Sequence, residues 1–533
     1  MRVLRSSAGL GIVLVLIVRL AFLMTYPLND FGGDAHNYLT MLLLGHSSLV
    51  HAGGYPFLLG LPFRIPGVQG LLAAVLPYVI LIVQHLLDVL ALLFMYRVAA
   101  DVYGKAAGFI ALVLEGLSLQ RLSATSATYP EWLQADLLVV ALGITYYAFV
   151  ETSYSRKLSL YGAAAFAFSW CMLVKFNVAV VGFFLVVAIA ADSVGVKRKM
   201  AMGFVSALVC AGTFVPYTRF YQYATTGSYA LTYDTAWVLL TRIQGFYQNT
   251  LDPMAGLDTR RWLALSAVLP RSYEQAGPGL FSHVNAVPPE VRAPYRARFG
   301  YLLHATDQAT RLVLARHRLP DGFSVGLSAI PVAYYIGLRE SDHLGTRVAL
   351  EAIRAHPLTY FSGVFREVQA ALRGWPNDVP FASSGSLAFF GTKPATRLAI
   401  GYVRVTQRPD WSNVPFSFSV PVLWWPGVRL FTMLEAYGPP AYWPSVAVGV
   451  AFLLASVRAV LVRRIDLQTG STLLIATMAA VMLVVSVATL AFRWKEARVV
   501  MPLASVLAGA AVAHVLSIAN ATGDGRVTTV EVG

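Results

Sequence analysis

Apolar runs of about twenty residues recur along this chain, and they decide its solvent. A helix crossing the hydrocarbon layer needs about 20 mostly apolar residues. Such runs lie roughly at 8–27, 69–95, 105–121, 131–150, 158–174, 177–193, 200–217, 441–462, 470–491 and 499–519. They predict an all-α polytopic membrane protein with about ten spans, thirteen at most. Only 13% of the 533 residues are charged while 57% are hydrophobic, about half the charged share of a soluble domain. Mean hydropathy is +0.61. One core inside a polar shell cannot hold that much apolar surface, which excludes a soluble enzyme, a disordered chain and a coiled coil. The two cysteines, Cys171 and Cys210, both lie in apolar runs, so no disulfide framework is expected. The formal charge of +14 is spread between hydrophobic runs rather than gathered in one patch, which argues against nucleic acid as a partner.

The first run reads as a retained signal anchor. Arg2 and Arg5 precede it, no small-residue cleavage site interrupts it, and it ends at Asn29-Asp30. With the N-terminus inside, the inner loops hold Arg97, Lys105, Arg156, Lys157, Lys197, Arg198, Lys199, Arg458, Arg463 and Arg464, while the outer connections near 121–130 and 175–176 hold Arg121 and Lys175. Apart from a basic turn at 492–498, that satisfies the positive-inside rule. The chain then divides into a membrane module at 1–217 with an outer loop at 28–68, an extracytoplasmic domain of mixed structure at 218–440, C-terminal spans at 441–520 and a cytoplasmic tail at 521–533. The 218–440 segment carries six of the ten tryptophans and twenty arginines against one lysine, Lys393. Within it, Leu350 to Gly374 mixes apolar and charged residues at near-helical spacing. That suits a helix lying on a membrane surface or an amphipathic helix of a small soluble domain.

Ionisable residues at membrane depth or at the mouths of spans are candidates for function. Asp34 follows Gly32-Gly33 and opens an apolar helical run holding Tyr38; it is either a helix cap or a general base, with Asp30 four residues earlier as a second carboxylate. His51-Ala-Gly-Gly-Tyr55-Pro56 predicts a tight extended turn that lets a ligand approach the backbone, or a plain loop. Glu131 opens a span after Pro130, as a first-turn acid or a site carboxylate, and Asp136 lies a turn deeper, where it is expected to face protein. Lys175, Arg219, Lys495 and Arg498 are outward cations, suited to snorkelling anchors or to phosphate contacts. If a divalent metal, magnesium or manganese, is used, Asp30 and Asp34 are its oxygen ligands; no other cofactor is called for. Carboxylates and cations together at an outer membrane surface fit transfer from a lipid-phosphate-linked sugar. A carboxylate deprotonates the acceptor hydroxyl while cations stabilise the departing phosphate. No Walker loop and no HExxH is present.

Several stretches, in order, resemble a family. Arg19-Leu20 with Gly33-Asp34-Ala-His-Asn-Tyr38, then His51-Ala-Gly-Gly-Tyr55-Pro56, Tyr129-Pro130-Glu131, Val215-Pro-Tyr-Thr-Arg219-Phe-Tyr221 with Gly227, and Glu496-Ala-Arg498-Val-Val-Met-Pro502 are similar to motifs of GT-C membrane glycosyltransferases. That group includes protein mannosyltransferases and bacterial aminoarabinose and lipopolysaccharide-core transferases, and the resemblance covers about 1–230 and 440–520. It implies a polyprenyl-phosphate-linked sugar donor, a lipid, glycan or protein acceptor, inversion at the sugar carbon, and a bacterial-type inner membrane with the site facing outward. Asp34 would be the base, Asp30, Tyr38, His51, Tyr55 and Glu131 substrate contacts, and Lys175, Arg219, Lys495 and Arg498 phosphate contacts. The chain departs from the family pattern by Gly-Asp-Ala where Asp-Glu is common, and by Ala52 and glycines where a lysine and prolines often stand. The rival class is a transporter or flippase of lipid-linked sugars, which predicts inverted repeats and helices broken near the midplane; no half-to-half similarity is visible. Reporter fusions at positions 300 and 530 test the topology: the first should report outside and the second inside. An inside signal at 300 overturns the assignment of the outward site.

Overall fold

The computed structural model describes residues 7–25, 38, 41–42, 53–61, 68–126, 130–175, 182–233, 235–247, 251–270, 289–319, 323–325, 328–373, 397–406, 411–420, 430–431, 433, 443–462, 465–489 and 493–523. Its membrane part begins with α1 (Ser7–Thr25), α2 (Gly54–Gly60), α3 (Val68–Tyr103), α4 (Lys105–Gly116) and α5 (Leu119–Thr125). It continues with α6 (Glu131–Val150), α7 (Tyr154–Val174), α8 (Gly182–Ala191) and α9 (Val196–Pro216), the last prolonged through a π-type segment, Tyr217–Gln222, to Thr226. Among the described residues, seven helices are long and apolar enough to cross a membrane, and Gly9–Thr25 and Gly182–Ala191 are shorter apolar helices.

The expected span at 105–121 is two helices. Gly116 brings the chain against Val15 of α1, and the Ser118 hydroxyl then accepts the Arg121 backbone N–H at 3.3 Å, capping α5 as serine commonly does. The stretch at 51–57 differs as well. Tyr55-Pro56 lies inside α2 rather than in an extended turn, because proline is tolerated in a first turn, where its missing N–H is not needed.

One end of the bundle collects the basic loops. There the Asp101 carboxylate accepts from the Tyr147 hydroxyl at 2.8 Å, Lys199 donates to the Ala190 carbonyl at 2.6 Å, and Lys157 holds both Asp192 oxygens at 2.8 and 2.7 Å. Asp192 also accepts the Tyr161 hydroxyl at 3.0 Å, so α7 and α8 are tied by a buried pair.

After α9 come α10 (Thr235–Phe246), α11 (Leu257–Val268), α12 (Pro289–Phe299), α13 (Asp307–Arg316), α14 (Ala329–Tyr335), α15 (Leu338–Ala355) and α16 (Pro357–Arg373). The amphipathic stretch at 350–374 is thus not one helix. It breaks at His356 (φ −135°, ψ 60°), since the residue before a proline is driven from helical backbone. These helices are not an isolated globule: one apolar cluster runs from Trp262 and Leu240 through Tyr360 and Val364 of α16 to membrane-segment residues Met478, Met482 and Phe168. The opposite face of α16 leaves Leu358, Phe361 and Phe365 exposed. Asp258 accepts from Arg347 and Arg261, both at 2.8 Å. Partial burial opposes its charge, but these two guanidinium groups prevail and hold its carboxyl below the usual range.

Two antiparallel strands, β1 (Arg397–Thr406) and β2 (Trp411–Val420), pair with Arg397 opposite Val420. The chain closes with α17 (Trp443–Val462), α18 (Leu467–Thr489) and α19 (Arg493–Gly523). The expected turn at 492–498 therefore begins α19. Residues 494–498, Trp-Lys-Glu-Ala-Arg, contain no glycine or proline to stop a helix before Pro502.

The Lys157–Asp192 pair gives a test. Asp192→Ala leaves a buried ammonium without its carboxylate, a loss that costs about 3–5 kcal/mol. Thermal unfolding of the purified protein should drop by several degrees, whereas Glu290→Ala, an exposed carboxylate, should barely change it.

Candidate functional site

At the end of the bundle opposite the Lys157–Asp192 loops, α2 lies against the close of α7. Gly54 makes this possible: a Cβ there would overlap the Leu173 carbonyl and the Val174 nitrogen. The helix thereby buries Tyr55, whose hydroxyl donates to Gln84 at 2.9 Å, while Gln84 donates to the Thr125 carbonyl at 2.6 Å. The Tyr55 ring meets Tyr38 edge-on at 5.5 Å and Trp132 at 6.3 Å. Next on α2, Phe57 packs on Trp170 at 5.5 Å and on Tyr217 and Tyr221 of the π-type segment, at 5.6 and 4.8 Å. Such π-type turns are rare and recur at functional sites.

Beside Tyr55 stands an ion pair. Glu131, at the start of α6 and 2% exposed, accepts from the Lys175 ammonium at 3.0 Å. The Lys175 carbonyl in turn accepts from Gln134 at 2.7 Å, fixing the residue on both its main chain and its side chain. Glu131 thus has an ion-pair partner besides its place in the first turn of α6, and Lys175 is tied to protein.

Of the residues singled out from sequence, the structure gathers Tyr38, Tyr55, Glu131 and Lys175 at this end. Arg219 is exposed on the π-type segment, whereas its neighbours Tyr217 and Tyr221 are buried. Lys495 and Arg498 fall in the first turns of α19. Asp30, Asp34 and His51 lie outside the described residues. Among the described residues, no group of three or more His, Cys, Asp or Glu is arranged to hold a metal ion.

Directly below Gln84 is a buried charge cluster that the sequence reading did not assemble. Arg121 does not sit in an outer connection. Its guanidinium is buried, donating to Asp88 and Glu115, each at 2.7 Å, and to Asp136. Asp88 is also paired with Arg19 of α1. Arg19 meets His85 at 3.1 Å, His85 meets the Ser126 hydroxyl at 3.0 Å, and Glu115 accepts from Ser505 of α19 at 2.8 Å. A guanidinium with five donors can serve three carboxylates at once, where an ammonium is a single point. The signal was present in the sequence. Asp88 and Glu115 interrupt apolar runs, and a charge inside a span faces a partner by default.

A scan against protein-family models gives no match, and a search of the curated proteins gives none either. A search of the solved structures finds distant matches, two of which are ArnT and AglB. ArnT from Cupriavidus metallidurans is 14% identical, with 96% of this chain and 78% of that chain covered and a TM-score of 0.33. The archaeal oligosaccharyltransferase AglB from Archaeoglobus fulgidus, solved with an inhibitory peptide and a dolichol-phosphate, is 12% identical at a TM-score of 0.39. The match covers 98% of this chain but 52% of AglB, so the chain spans about half the length of that protein. TM-scores this low supply no residue correspondence, and the functional reading rests on this chain's own side chains.

The close approach at Gly54 is directly testable. Gly54→Ala should lower the unfolding temperature and expose Tyr55 to iodination, because α2 must back away from Leu173. Gly212→Ala on α9, where a Cβ meets nothing within 4 Å, should be neutral or slightly stabilising, by up to about 1 kcal/mol.

Proposed function

We propose that the chain is an integral-membrane glycosyltransferase that moves a sugar from a polyprenyl-phosphate carrier to an acceptor hydroxyl outside the cytoplasm. The observation that carries this reading is the Glu131–Lys175 pair, set with Tyr38 and Tyr55 at the bundle end away from the basic loops. A carboxylate and an ammonium held beside buried aromatic rings suit a sugar phosphate whose tail must stay in lipid. The charged pair meets the polar head, and tyrosine and tryptophan rings suit the apolar faces of a sugar. By the positive-inside rule that end faces outward.

Asp34 is the proposed base. Asp34 precedes Tyr38 by four positions in the sequence. In the reaction its carboxylate takes the proton of the acceptor hydroxyl, and the freed oxygen attacks the anomeric carbon from the face opposite the phosphate. The bond from carbon to phosphate oxygen breaks, with its electron pair leaving on the phosphate, so configuration inverts. Lys175 and Arg498 stabilise the charge that builds there, with Arg219 and Lys495 as further cations for the phosphate. Glu131 holds Lys175 in place, and Asp30 and His51 contact the sugar.

Two substitutions test the assignment by sugar transfer in nanodiscs, with binding of the lipid-phosphate donor measured in parallel. Asp34→Asn keeps the size and helix-capping ability of the side chain but removes the proton acceptor. It should retain donor binding and lose roughly two to four orders of magnitude in rate. Lys175→Ala should lose orders of magnitude in transfer and weaken donor binding, because its charge is directed at the phosphate. Full transfer by Asp34→Asn would move the base to Asp30 or Glu131. Movement of the carrier across the bilayer by the wild type, with no sugar transferred, would replace this reading with a flippase.

A further inference from the structure

A second, separate space lies at the basic end. A cavity of about 540 Å³ opens among α3, α6, α8, α18 and α19, a size typical of small-molecule sites. Met95, Val98, Val139, Phe149, Phe184 and Leu474 give it apolar walls. Its polar side chains are few and include Tyr103, Tyr146, Asp466 and Ser471. Tyr103 and Asp466 mark the loop end of the cavity, since Tyr103 closes α3 and Asp466 immediately precedes α18. The space is thus polar at one end and apolar along its length, and its walls are membrane-spanning helices.

The charges around the polar end select the occupant. Asp466 is the carboxylate in the lining, and it is neutralised: Arg458 pairs with it, and the Thr469 backbone N–H donates to it at 2.8 Å. The nearby Thr472 hydroxyl meets His514 at 2.9 Å and the Tyr103 hydroxyl at 3.2 Å. The Lys157 ammonium is spent on Asp192, and Arg97 on Asp101. Exposed at the adjoining helix starts are Lys105, which opens α4 two residues past Tyr103, and Lys197 and Arg198, in the first turn of α9. An excess of cations beside a cavity between spans favours an anionic head group.

The geometry points to a binding site for a membrane phospholipid, with one acyl chain inside this cavity and an anionic head group at Lys105, Lys197 and Arg198, where α4 and α9 begin. It is distinct from the Tyr55–Lys175 end and does not depend on the sugar-transfer reading.

The test uses full-length protein in nanodiscs with a phosphatidylglycerol that carries a photoreactive group on its acyl chain, and maps the cross-links by mass spectrometry. Labels should fall on residues of α6, α8 and α18 that line the cavity. Excess unlabelled phosphatidylglycerol should suppress labelling at least tenfold more effectively than phosphatidylcholine. Ala188→Trp and Ser471→Phe, each filling the space from a different helix, should cut labelling about tenfold without lowering the unfolding temperature. If one of them fails to fold, the other variant and the wild-type competition still decide. Equal suppression by phosphatidylcholine, or undiminished labelling of a folded cavity-filled variant, overturns the proposal. Suppression by polyprenyl phosphate alone also overturns it, by showing that the chain in the cavity belongs to an isoprenoid carrier.

Discussion

Asp88 is the residue on which the membrane bundle turns. It is fully buried in α3, between the guanidinium groups of Arg19 from α1 and Arg121 from α5. Arg121 extends the set to Glu115 and Asp136, and Glu115 extends it to Ser505 of α19. A charge at membrane depth is costly unless it is paired, and removing one partner of such a pair costs about 3–5 kcal/mol. The cluster therefore fixes the relative register of α1, α3, α4, α5, α6 and α19 more strictly than alkyl packing can, because lipid tails are as apolar as leucine and offer no hydrophobic drive for helix to meet helix.

The candidate site stands on that cluster. One helical turn separates Asp88 from Gln84, which carries Tyr55, and Thr125 binds both Gln84 and the Arg121 carbonyl. The layer of Tyr38, Tyr55 and Trp132 is thus connected through hydrogen bonds to a set of charges that cannot shift without stranding one of them. A site built on such a support keeps its geometry, which the proposed lipid-linked donor would require. The neighbouring Phe57–Trp170–Tyr217 stack adds an apolar wall, and the π-type turn sets Tyr217 and Tyr221 toward Phe57 while Arg219 faces out.

The helical, membrane-embedded character of the chain was legible because hydropathy over twenty residues is a strong, additive signal. Helix ends were less legible. The break between Gly116 and Leu119 depends on a contact with Val15, a hundred residues away, and the break at His356 depends on a proline that the amphipathic pattern obscured. Local pattern was enough to single out Tyr55, Glu131 and Lys175, since charges and aromatics at span mouths are conspicuous. It could not show that Glu131 holds Lys175, because the two are separated by a full pair of antiparallel helices. The same limit explains Arg121. Beside a loop-like stretch it reads as a surface cation, and only the fold supplies the three carboxylates that draw it inward.

The buried cluster also constrains how the protein is made. Arg19 leaves the ribosome well before Asp88, and Glu115, Arg121 and Asp136 follow on later segments. A single charged residue at a helix centre disfavours insertion by about 2.5–3.5 kcal/mol, so these segments are poor candidates for release into lipid one at a time. The chain's own order of synthesis supplies the remedy: α1 is completed by α3, α3 by α5, and the acid of α6 by the arginine just ahead of it. Ser505, on α19, reaches Glu115 only once 390 further residues have been made. Early segments are accordingly expected to stay beside the translocon until later ones arrive, and truncation after α9 would leave Glu115 without its Ser505 hydrogen bond.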